Sequence, residues 1–316
     1  IIYIAIRFPD GYVGKPPELG TDVFAMDTGN SSSTIPAFDS NFVVDMFLHQ
    51  QPASGGLDWR LTTRFNAPDK LPPNTTGAED DESPNNEMDS NVGVGRNYTN
   101  IWQSWMWKRH AGFDVLAYKG NSTAGRQIQH SMKVAPEMVW VRRRQGDHWQ
   151  VGHKGLNGGT NAWSYVIYLN TNGVESNAGA DRFNNTAPTA THLTLGTDGG
   201  VNSSSYDYMC MLFASVEKIS KVGYYTGSGS TGFSVTTGFS PRLIIIKRTD
   251  VSGEYWAIFD TQRGLGSGND PMLKFDTQAQ IAGHDIIDPT STGFDLVTTD
   301  DAMNASNGKY IYYAHA

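Results

Sequence analysis

The feature of this sequence that most constrains its fold is an internal repeat. The segments "FDVLAYKGNSTAGRQIQHSMKVAPEMVWVRRRQGDHWQVGHKGL" and "KVGYYTGSGSTGFSVTTGFSPRLIIIKRTDVSGEYWAIFDTQRGL" carry the same features in the same order. Each has a strand-like run, a polar turn with Gly, a Pro, an apolar run that ends on basic residues, and a Trp-bearing run. The equivalent residues Tyr118 and Tyr225 lie 107 positions apart, which is the length of one β-sandwich domain.

A third and more diverged copy precedes these two. In "TDVFAMDTGNSSSTIPAFDSNFVVDMFLHQQPASGGLDW", Trp59 occupies the position that Trp149 and Trp256 occupy in the later copies. The three copies also end alike, on the aromatic runs "NIWQSWMWKRH", "SYDYMCMLFASV" and "GKYIYYAHA". The chain therefore contains three versions of one structural unit.

These patterns set the predicted domain bounds. We predict repeat 1, the diverged copy, over 21–111, repeat 2 over 112–218 and repeat 3 over 219–316. The opening run "IIYIAIR" belongs to the series of closing strands. We therefore interpret 1–20 as the closing strand of a further upstream repeat and the linker that follows it.

The local patterns favour an all-β fold. The chain has 34 Gly and only 18% charged residues, and apolar runs such as "RLIIIKR", "YWAIFD" and "KYIYYAH" are bounded by Gly, Pro, Asn and Asp, which is typical of strands. No stretch has a sustained helical period with caps, so we expect helices only as short connectors. A unit of this size without helices must pack sheet on sheet. We predict a tandem array of antiparallel β-sandwich domains of jelly-roll type.

The charge and the cysteine count exclude several classes of protein. The 24 Lys and Arg residues against 32 Asp and Glu residues give a formal charge of −8, so we predict no nucleic-acid partner, because such a partner needs a basic face. No apolar run is long enough to span a bilayer, and we predict no membrane insertion. The single cysteine, Cys210 in "YDYMCMLFA", has apolar neighbours that indicate a small buried residue. Its lack of a partner cysteine fits assembly in a reducing cytoplasm.

No segment has a catalytic or metal-binding pattern, and we predict that the protein is not an enzyme. Carboxylates at alternate strand positions, as a glycosidase on a β-sandwich would present them, do not occur. His148 and His153 flank Trp149, but at five residues apart on a strand they point to opposite faces. We predict no cofactor and no metal, because the oxygen-rich "GTDGG" at 196–200 lacks EF-hand-like spacing. The acidic "EDDE" within 72–91 is predicted to be part of a long exposed loop.

The tryptophans allow two interpretations. A large aromatic residue that recurs at one strand position in every copy is typical of a core, and core packing is the favoured interpretation of Trp59, Trp149 and Trp256. Exposed aromatic rings also stack on sugars, so the alternative is a lectin-like surface. On that alternative, the candidate glycan contacts are Trp149, His153 and Trp163.

The order "FDVLAYKGN … H … VAPEMVWVRRR … W … HKGL" resembles a repeat in virion proteins of marine tailed phages, including cyanophages. In repeat 2 the matching residues are Phe113, Asp114, Val115, Tyr118, Gly120, Asn121, His130, Pro136, Val141, Arg143, Trp149, His153 and Lys154. Repeat 3 is similar through "IIIKRTDVSGEYWAIFDTQRGL" and "GFDLVTTD". Repeat 1 departs from the pattern, because it lacks the Pro before its apolar strand and the basic pair after it. The resemblance implies laminin-G-like, concanavalin-A-like jelly-roll units and supplies no catalytic residues.

Together the repeat and the resemblance predict a non-enzymatic structural protein of a phage virion. It would form or decorate a tail fibre or appendage, be assembled in the host cytoplasm, and function in the extracellular particle. The predicted partners are copies of itself, as a homo-oligomer, other virion proteins, and host-surface glycan. The alternatives are a carbohydrate-binding adhesin for host attachment and a polysaccharide depolymerase.

Overall fold

The structure, a computed structural model, describes residues 17–53, 57–109, 112–277 and 280–316. The run "IIYIAIR", predicted to be the closing strand of an upstream repeat, lies outside these residues. The fold is all-β with antiparallel sheets, as the sequence predicts. The described ranges contain one short α-helix, α1 (Asp301–Asn304), and single 3₁₀ turns at Gly20–Asp22, Leu156–Gly159 and Ala162–Ser164.

Twenty-two strands lie in the described residues. They are β1 (Phe24–Thr28), β2 (Phe38–Asp39), β3 (Met46–Gln50), β4 (Arg60–Thr63), β5 (Gly93–Val94), β6 (Gln103–Trp107), β7 (Phe113–Lys119), β8 (Arg126–Gln129), β9 (Met138–Arg143), β10 (Gln150–His153), β11 (Tyr165–Tyr168), β12 (Ser176–Asn177), β13 (His192–Leu195), β14 (Asp207–Phe213), β15 (Ser220–Thr226), β16 (Phe233–Thr236), β17 (Leu243–Arg248), β18 (Trp256–Asp260), β19 (Leu273–Lys274), β20 (Ile287–Thr290), β21 (Gly293–Leu296) and β22 (Lys309–His315).

Each repeat builds one main sheet with the same strand order. The orders are β1-β6-β3-β4 in repeat 1, β7-β14-β9-β10-β11-β12 in repeat 2, and β15-β22-β17-β18-β19 in repeat 3. In all three, the closing strand of the repeat pairs between its first strand and its apolar strand. A small sheet accompanies each main sheet: β2-β5, β8-β13 and β16-β21-β20. The shared features seen in the sequence thus correspond to a shared topology.

The main sheets are apolar on both faces. In β9, Val139 and Val141 pack into a core that belongs to repeat 2 alone. On the opposite face of the same strand, Met138 and Trp140 enter a second core. This two-sided burial explains why runs such as "LIIIKR" are continuously apolar instead of alternating with polar residues.

The second core is common to the three repeats, and we call it the central core. It contains Phe24, Leu48 and Trp105 of repeat 1, among others, and it continues through residues of repeats 2 and 3. Ring contacts across the repeats include Trp59–Phe275 at 5.0 Å, Trp107–Phe113 at 6.4 Å and Phe213–Tyr313 at 5.0 Å between centroids.

The central core is a feature that the repeat pattern in the sequence does not show. Each repeat does have its own core between its main and small sheets. The outer face of each main sheet, however, is covered only by the other two repeats, because its own small sheet lies on the opposite side. The repeats therefore cannot be separated without exposing apolar surface.

No helix in the part of the chain that the structure describes has the length and apolar character needed to cross a membrane. The α-helix α1 has only four residues, and the carboxylate of Asp300 caps it by accepting a hydrogen bond from the backbone N–H of Ala302 at 2.9 Å. The helix content thus agrees with the expectation of short connectors.

The central core predicts that the three repeats unfold together. Ile245 is 2% exposed and lies in the central core, so we expect Ile245→Ala to lower the free energy of unfolding by about 2–5 kcal/mol. Differential scanning calorimetry should show one cooperative transition that shifts as a whole. Val134→Ala, at a side chain that is 40% exposed, is the control and should leave the transition in place. Three separate transitions, of which only one moves, would contradict the shared core.

Candidate functional site

Three tryptophans at equivalent positions join the repeats in a closed cycle. The indole Nε1–H of Trp149 in repeat 2 donates to the Pro72 carbonyl of repeat 1 at 2.9 Å. The indole of Trp256 in repeat 3 donates to the Tyr168 carbonyl of repeat 2 at 2.9 Å. We call the arrangement, completed by Trp59, the tryptophan cycle.

Trp59 closes the cycle, because its Nε1–H donates from repeat 1 to the Lys274 carbonyl of repeat 3 at 2.9 Å. The three rings are 0–1% exposed, so core packing, the favoured interpretation of these tryptophans, is confirmed. Their N–H groups need a partner once buried, and each finds it on the segment beside the Trp-bearing strand of a neighbouring repeat. Each repeat therefore donates one indole hydrogen bond to one neighbour and accepts one from the other.

In repeats 2 and 3, the residue four positions after the cycle tryptophan also lies at a contact between repeats. In repeat 3 this residue is Asp260, which is fully buried. Its carboxylate accepts hydrogen bonds from Gln103 Nε2 and Trp105 Nε1 of repeat 1, both at 3.1 Å. It also forms an ion pair with Arg263, at 2.7 Å. This buried carboxylate links the first repeat to the last.

The equivalent residue in repeat 2 is His153, which is 0% exposed. Its Nδ1 accepts from the backbone N–H of Gly155 at 2.9 Å, which assigns the ring proton to Nε2. Nε2 in turn faces the Tyr312 carbonyl of repeat 3 at 3.4 Å. Burial lowers the pKa of His153 to about 3. The imidazole therefore stays neutral between two repeats.

These positions correct two of the predicted glycan contacts. Trp149 and His153 are both fully buried between repeats, so a sugar in solution has no access to either side chain. The lectin-like alternative required both side chains to be exposed, and burial between repeats excludes it for these two residues. Their polar atoms serve the contacts between repeats instead.

The first basic residue of the apolar strand is buried as well in repeats 2 and 3. Arg142 is 0% exposed, its guanidinium lies 5.4 Å from the centre of the Trp149 ring, and burial lowers its pKa to about 10. It donates from Nη2 to the Gly77 carbonyl of repeat 1. The equivalent Lys247 donates to the Glu254 carbonyl at 2.6 Å, and burial lowers its pKa to about 8. These cations hold loops in place.

The acidic tract 72–91 is only partly the exposed loop that the sequence predicted. Asp80 and Asp81 are exposed, but Glu79 forms an ion pair with Arg144 of repeat 2. Lys70 pairs with Glu82. The tract thus packs onto repeat 2, because strand-end arginines of that repeat meet its carboxylates and carbonyls.

Trp163 differs from the cycle tryptophans, because it borders a surface groove. The groove, of about 410 Å³, is lined by Asn161, Trp163, Ser164, Asn185 and Ala187, and we call it the Trp163 groove. Trp163 itself is 8% exposed. Its indole N–H has no protein acceptor within the described residues and is not enclosed by the protein. It is therefore accessible to solvent.

The neighbouring residues fix the Trp163 ring in place. The ring meets Phe183 edge-on, with 5.7 Å between centroids and 86° between planes. It also lies over Gly152 of β10, where a Cβ atom would stand 2.8 Å from the indole. A glycine is thus required there, since any side chain would displace the ring. The third predicted glycan contact is consequently a rigid ring with one edge at the surface.

The remaining reactive groups have structural surroundings. Cys210 is buried, and burial raises the pKa of its thiol. Asp198 of the "GTDGG" loop forms an ion pair with Arg182. His148 stacks on Tyr168 with 4.6 Å between ring centroids. In the described ranges, no group of three or more His, Cys, Asp or Glu side chains is arranged to hold a metal ion.

Sequence reasoning missed Arg142, Asp260 and Phe275 as contacts between repeats. A signal for the first two was present, because Arg142 aligns with Lys247 and Asp260 aligns with His153 in the repeat. A polar residue kept at a fixed distance from a core tryptophan indicates a buried partner. Comparison of the repeats with one another does not show which repeat supplies that partner.

Comparison with known families gives a match. A family model described as "Domain of unknown function (DUF7483)" matches residues 88–316, which include the end of repeat 1 and all of repeats 2 and 3. No curated protein matches the chain.

The contacts of Asp260 predict a large loss of stability on Asp260→Asn. Removal of the charge leaves Arg263 buried without a counter-ion, which costs about 3–5 kcal/mol. Chemical denaturation measures the free energy of unfolding. Asp250→Asn, which removes an exposed partner of Arg248, is the matched control and should cost at most about 1 kcal/mol. Equal effects of the two variants would refute the role of Asp260.

The buried histidines predict a loss of stability in acid. His153 and His315 each have a pKa lowered to about 3 by burial, whereas an unfolded histidine titrates near 6.5. The unfolded chain therefore binds more protons, and the free energy of unfolding falls as the pH drops from about 6.5 towards 3. Each histidine contributes up to about 1.4 kcal/mol per pH unit.

Urea denaturation at several pH values between 7 and 4 measures this slope. His153→Gln keeps an N–H donor near the Tyr312 carbonyl but binds no proton, so its slope should be shallower than that of the unmodified chain. The exposed His284 supplies the control, His284→Gln, whose slope should be unchanged. A slope for His153→Gln that equals the control would mean that His153 is not buried neutral in the folded state.

Proposed function

The chain belongs to the family described as a domain of unknown function (DUF7483), and from this premise we propose that it is a non-enzymatic structural protein of a tailed-phage virion. It forms or decorates a tail fibre or another appendage, and its place of action is the assembled particle. The observation that carries the proposal is the tryptophan cycle, which joins three β-repeats into one body through contacts that are all internal to the chain.

A component of an extracellular appendage must resist unfolding without depending on a ligand. The central core supports this requirement, since it buries one face of all three main sheets. The hydrogen bonds from Gln103 and Trp105 to the Asp260 carboxylate add a link between repeats that are distant in sequence. Such a body has the properties of a rigid building block.

The distribution of perturbed groups supports a non-catalytic role. An active site places residues with shifted pKa values in a cleft that substrate can enter. Here His153, Lys247 and His315, whose pKa values burial lowers to about 3, 8 and 3, are 0–2% exposed. Their surroundings are packing contacts, so none of these three groups is accessible to a substrate.

The resemblance of repeats 2 and 3 to a repeat in virion proteins of marine tailed phages supports placement in the particle. We propose that the partners are other virion proteins and further copies of the chain. A homo-oligomer would use surfaces other than the central core, because the three main sheets already cover one another. Host-surface glycan is the partner under the second candidate function.

That second candidate is a carbohydrate-binding adhesin for host attachment. It is favoured by one observation, the Trp163 groove, which combines an aromatic edge with two exposed amide side chains. A polysaccharide depolymerase is supported less, since no pair of carboxylates is arranged across this groove. Scaffold and adhesin are compatible roles within one appendage.

The virion proposal predicts that the chain copurifies with particles. Quantitative mass spectrometry of density-banded phage should find it at a fixed ratio to the major capsid protein, and gold-labelled antibody should mark one appendage. The control is the particle-free fraction of the same lysate. Presence in that fraction alone would refute the proposal, and release of reducing sugar from host envelope polysaccharide by the purified chain would refute its non-enzymatic part.

A further inference from the structure

We propose that the Trp163 groove binds a neutral saccharide, and that Tyr224 of repeat 3 stacks on the next sugar of the same ligand. This inference rests on the adhesin candidate of the proposed function and gives it a ligand class and a second contact. The surface that results lies across the junction of repeats 2 and 3. It exists only when the repeats are packed together.

The groove offers hydrogen bonds instead of a broad stacking face. Only 8% of Trp163 is exposed, so a ligand meets the indole edge and its unpaired Nε1–H. The amide side chains of Asn161 and Asn185 are exposed and have no protein partner among the described residues. Each amide provides both a donor and an acceptor, which matches the hydroxyl groups of a sugar.

The backbone holds both asparagines in advance of binding. Asn161 has φ 48° and Asn185 has φ 49°, a left-handed conformation that short polar side chains tolerate better than most. Asn161 lies next to the 3₁₀ turn that carries Trp163. Groups that are already ordered lose less entropy when a ligand binds.

The lining of the groove selects against charged ligands. Asn161, Trp163, Ser164, Asn185 and Ala187 include no ionisable side chain. A sugar carboxylate or sulfate would lose water on entry and gain no counter-charge. We therefore assign the groove to neutral sugars, with acidic saccharides excluded.

Tyr224 supplies the stacking face that the groove lacks. Its side chain is 49% exposed although it lies on β15 at the edge of the main sheet. The ring lies along a glycine-containing loop of repeat 2: a Cβ at Gly155 would stand 2.4 Å from the Tyr224 Cβ, and one at Gly159 would stand 2.7 Å from its hydroxyl. One side of the ring rests on this loop, and the exposed half is open to a ligand.

The two contacts are close enough for one short oligosaccharide. The Tyr224 hydroxyl is next to Gly159, and Asn161 of the groove follows two residues later. Two residues span at most about 7 Å. A ligand with its first ring in the groove therefore reaches Tyr224 with its second or third ring.

Calorimetric titration of the whole chain tests the proposal with maltotriose, cellotriose, N,N′,N″-triacetylchitotriose and trigalacturonic acid. We expect at least one neutral trisaccharide to bind with a Kd below about 1 mM, and no binding of the acidic one. Asn185→Gly keeps the left-handed backbone and removes the amide, so it should weaken binding by about five- to tenfold. Trp163→Phe keeps a ring but loses the N–H and should act similarly.

Tyr224→Ala separates the two contacts. It should weaken binding of the trisaccharide by about tenfold and leave the affinity for the corresponding monosaccharide unchanged, because only the longer ligand reaches Tyr224. The matched control is Asn307→Gly, which changes an exposed asparagine with φ 62° in repeat 3. The affinity of Asn307→Gly for the trisaccharide should equal that of the unmodified chain. Thermal unfolding of every variant confirms that the fold is intact.

Three results would overturn the proposal: no neutral trisaccharide binds at 10 times the expected Kd, the acidic one binds equally well, or Asn185→Gly and Asn307→Gly have the same affinity. An equal loss of monosaccharide and trisaccharide binding in Tyr224→Ala would remove Tyr224 from the site. Failure of binding leaves the scaffold function intact if the chain still copurifies with particles, so the two proposals fail in distinguishable ways.

Discussion

The structure depends on one constraint, which is that each main sheet must be covered on two faces. A repeat has only one small sheet, and this covers a single face. The other face carries large apolar residues such as Trp105, Trp140 and Ile245, whose exposure to water would cost about 25 cal/mol per Å² of apolar surface. The three main sheets meet this requirement for one another. The central core is thus a consequence of surplus apolar surface in every repeat.

Apolar surface alone does not fix how three similar sheets meet. The tryptophan cycle adds direction, because each indole N–H must reach one backbone carbonyl in a neighbouring repeat. The position four residues later distinguishes two of these contacts, since His153 and Asp260 are chemically different. Asp260 meets Gln103 and Trp105, whereas His153 meets a backbone carbonyl. The contacts at these two positions therefore differ in polarity.

This use of polar groups also determines where function can lie. Buried Arg142, Lys247 and His153 stabilise contacts and are inaccessible to a ligand. Surface chemistry remains in the loops and on exposed edge strands, which are positioned by a rigid framework. The Trp163 groove and Tyr224 are such places, and they come from two different repeats. A binding surface at a junction allows a repetitive protein to have a single site without changing the repeat itself.

The extent of prediction from the sequence follows from the same physics. The repeat, the all-β class, the buried Cys210 and the core position of Trp59, Trp149 and Trp256 were predictable, because they depend on local periodicity and on which residue types recur. The jelly-roll, concanavalin-A-like description stays a prediction, as do the domain bounds. The candidate site was predictable only as a residue type. In the sequence, Trp149 and Trp163 are equally able to stack on a sugar. Only the structure shows that Trp149 is buried between repeats and that Trp163 borders a groove.

The sequence by itself determined which segments form strands and that three copies of one unit exist, since strand formation follows from alternation, turn residues and β-branched side chains within a few positions. Only the tertiary structure decided that the copies share a core, that Asp260 links the first repeat to the last, and that Tyr224 lies on glycines of another repeat. Such contacts join distant residues, and Gln103 and Asp260 are 157 positions apart. Their partners are selected by shape and desolvation after the sheets have formed.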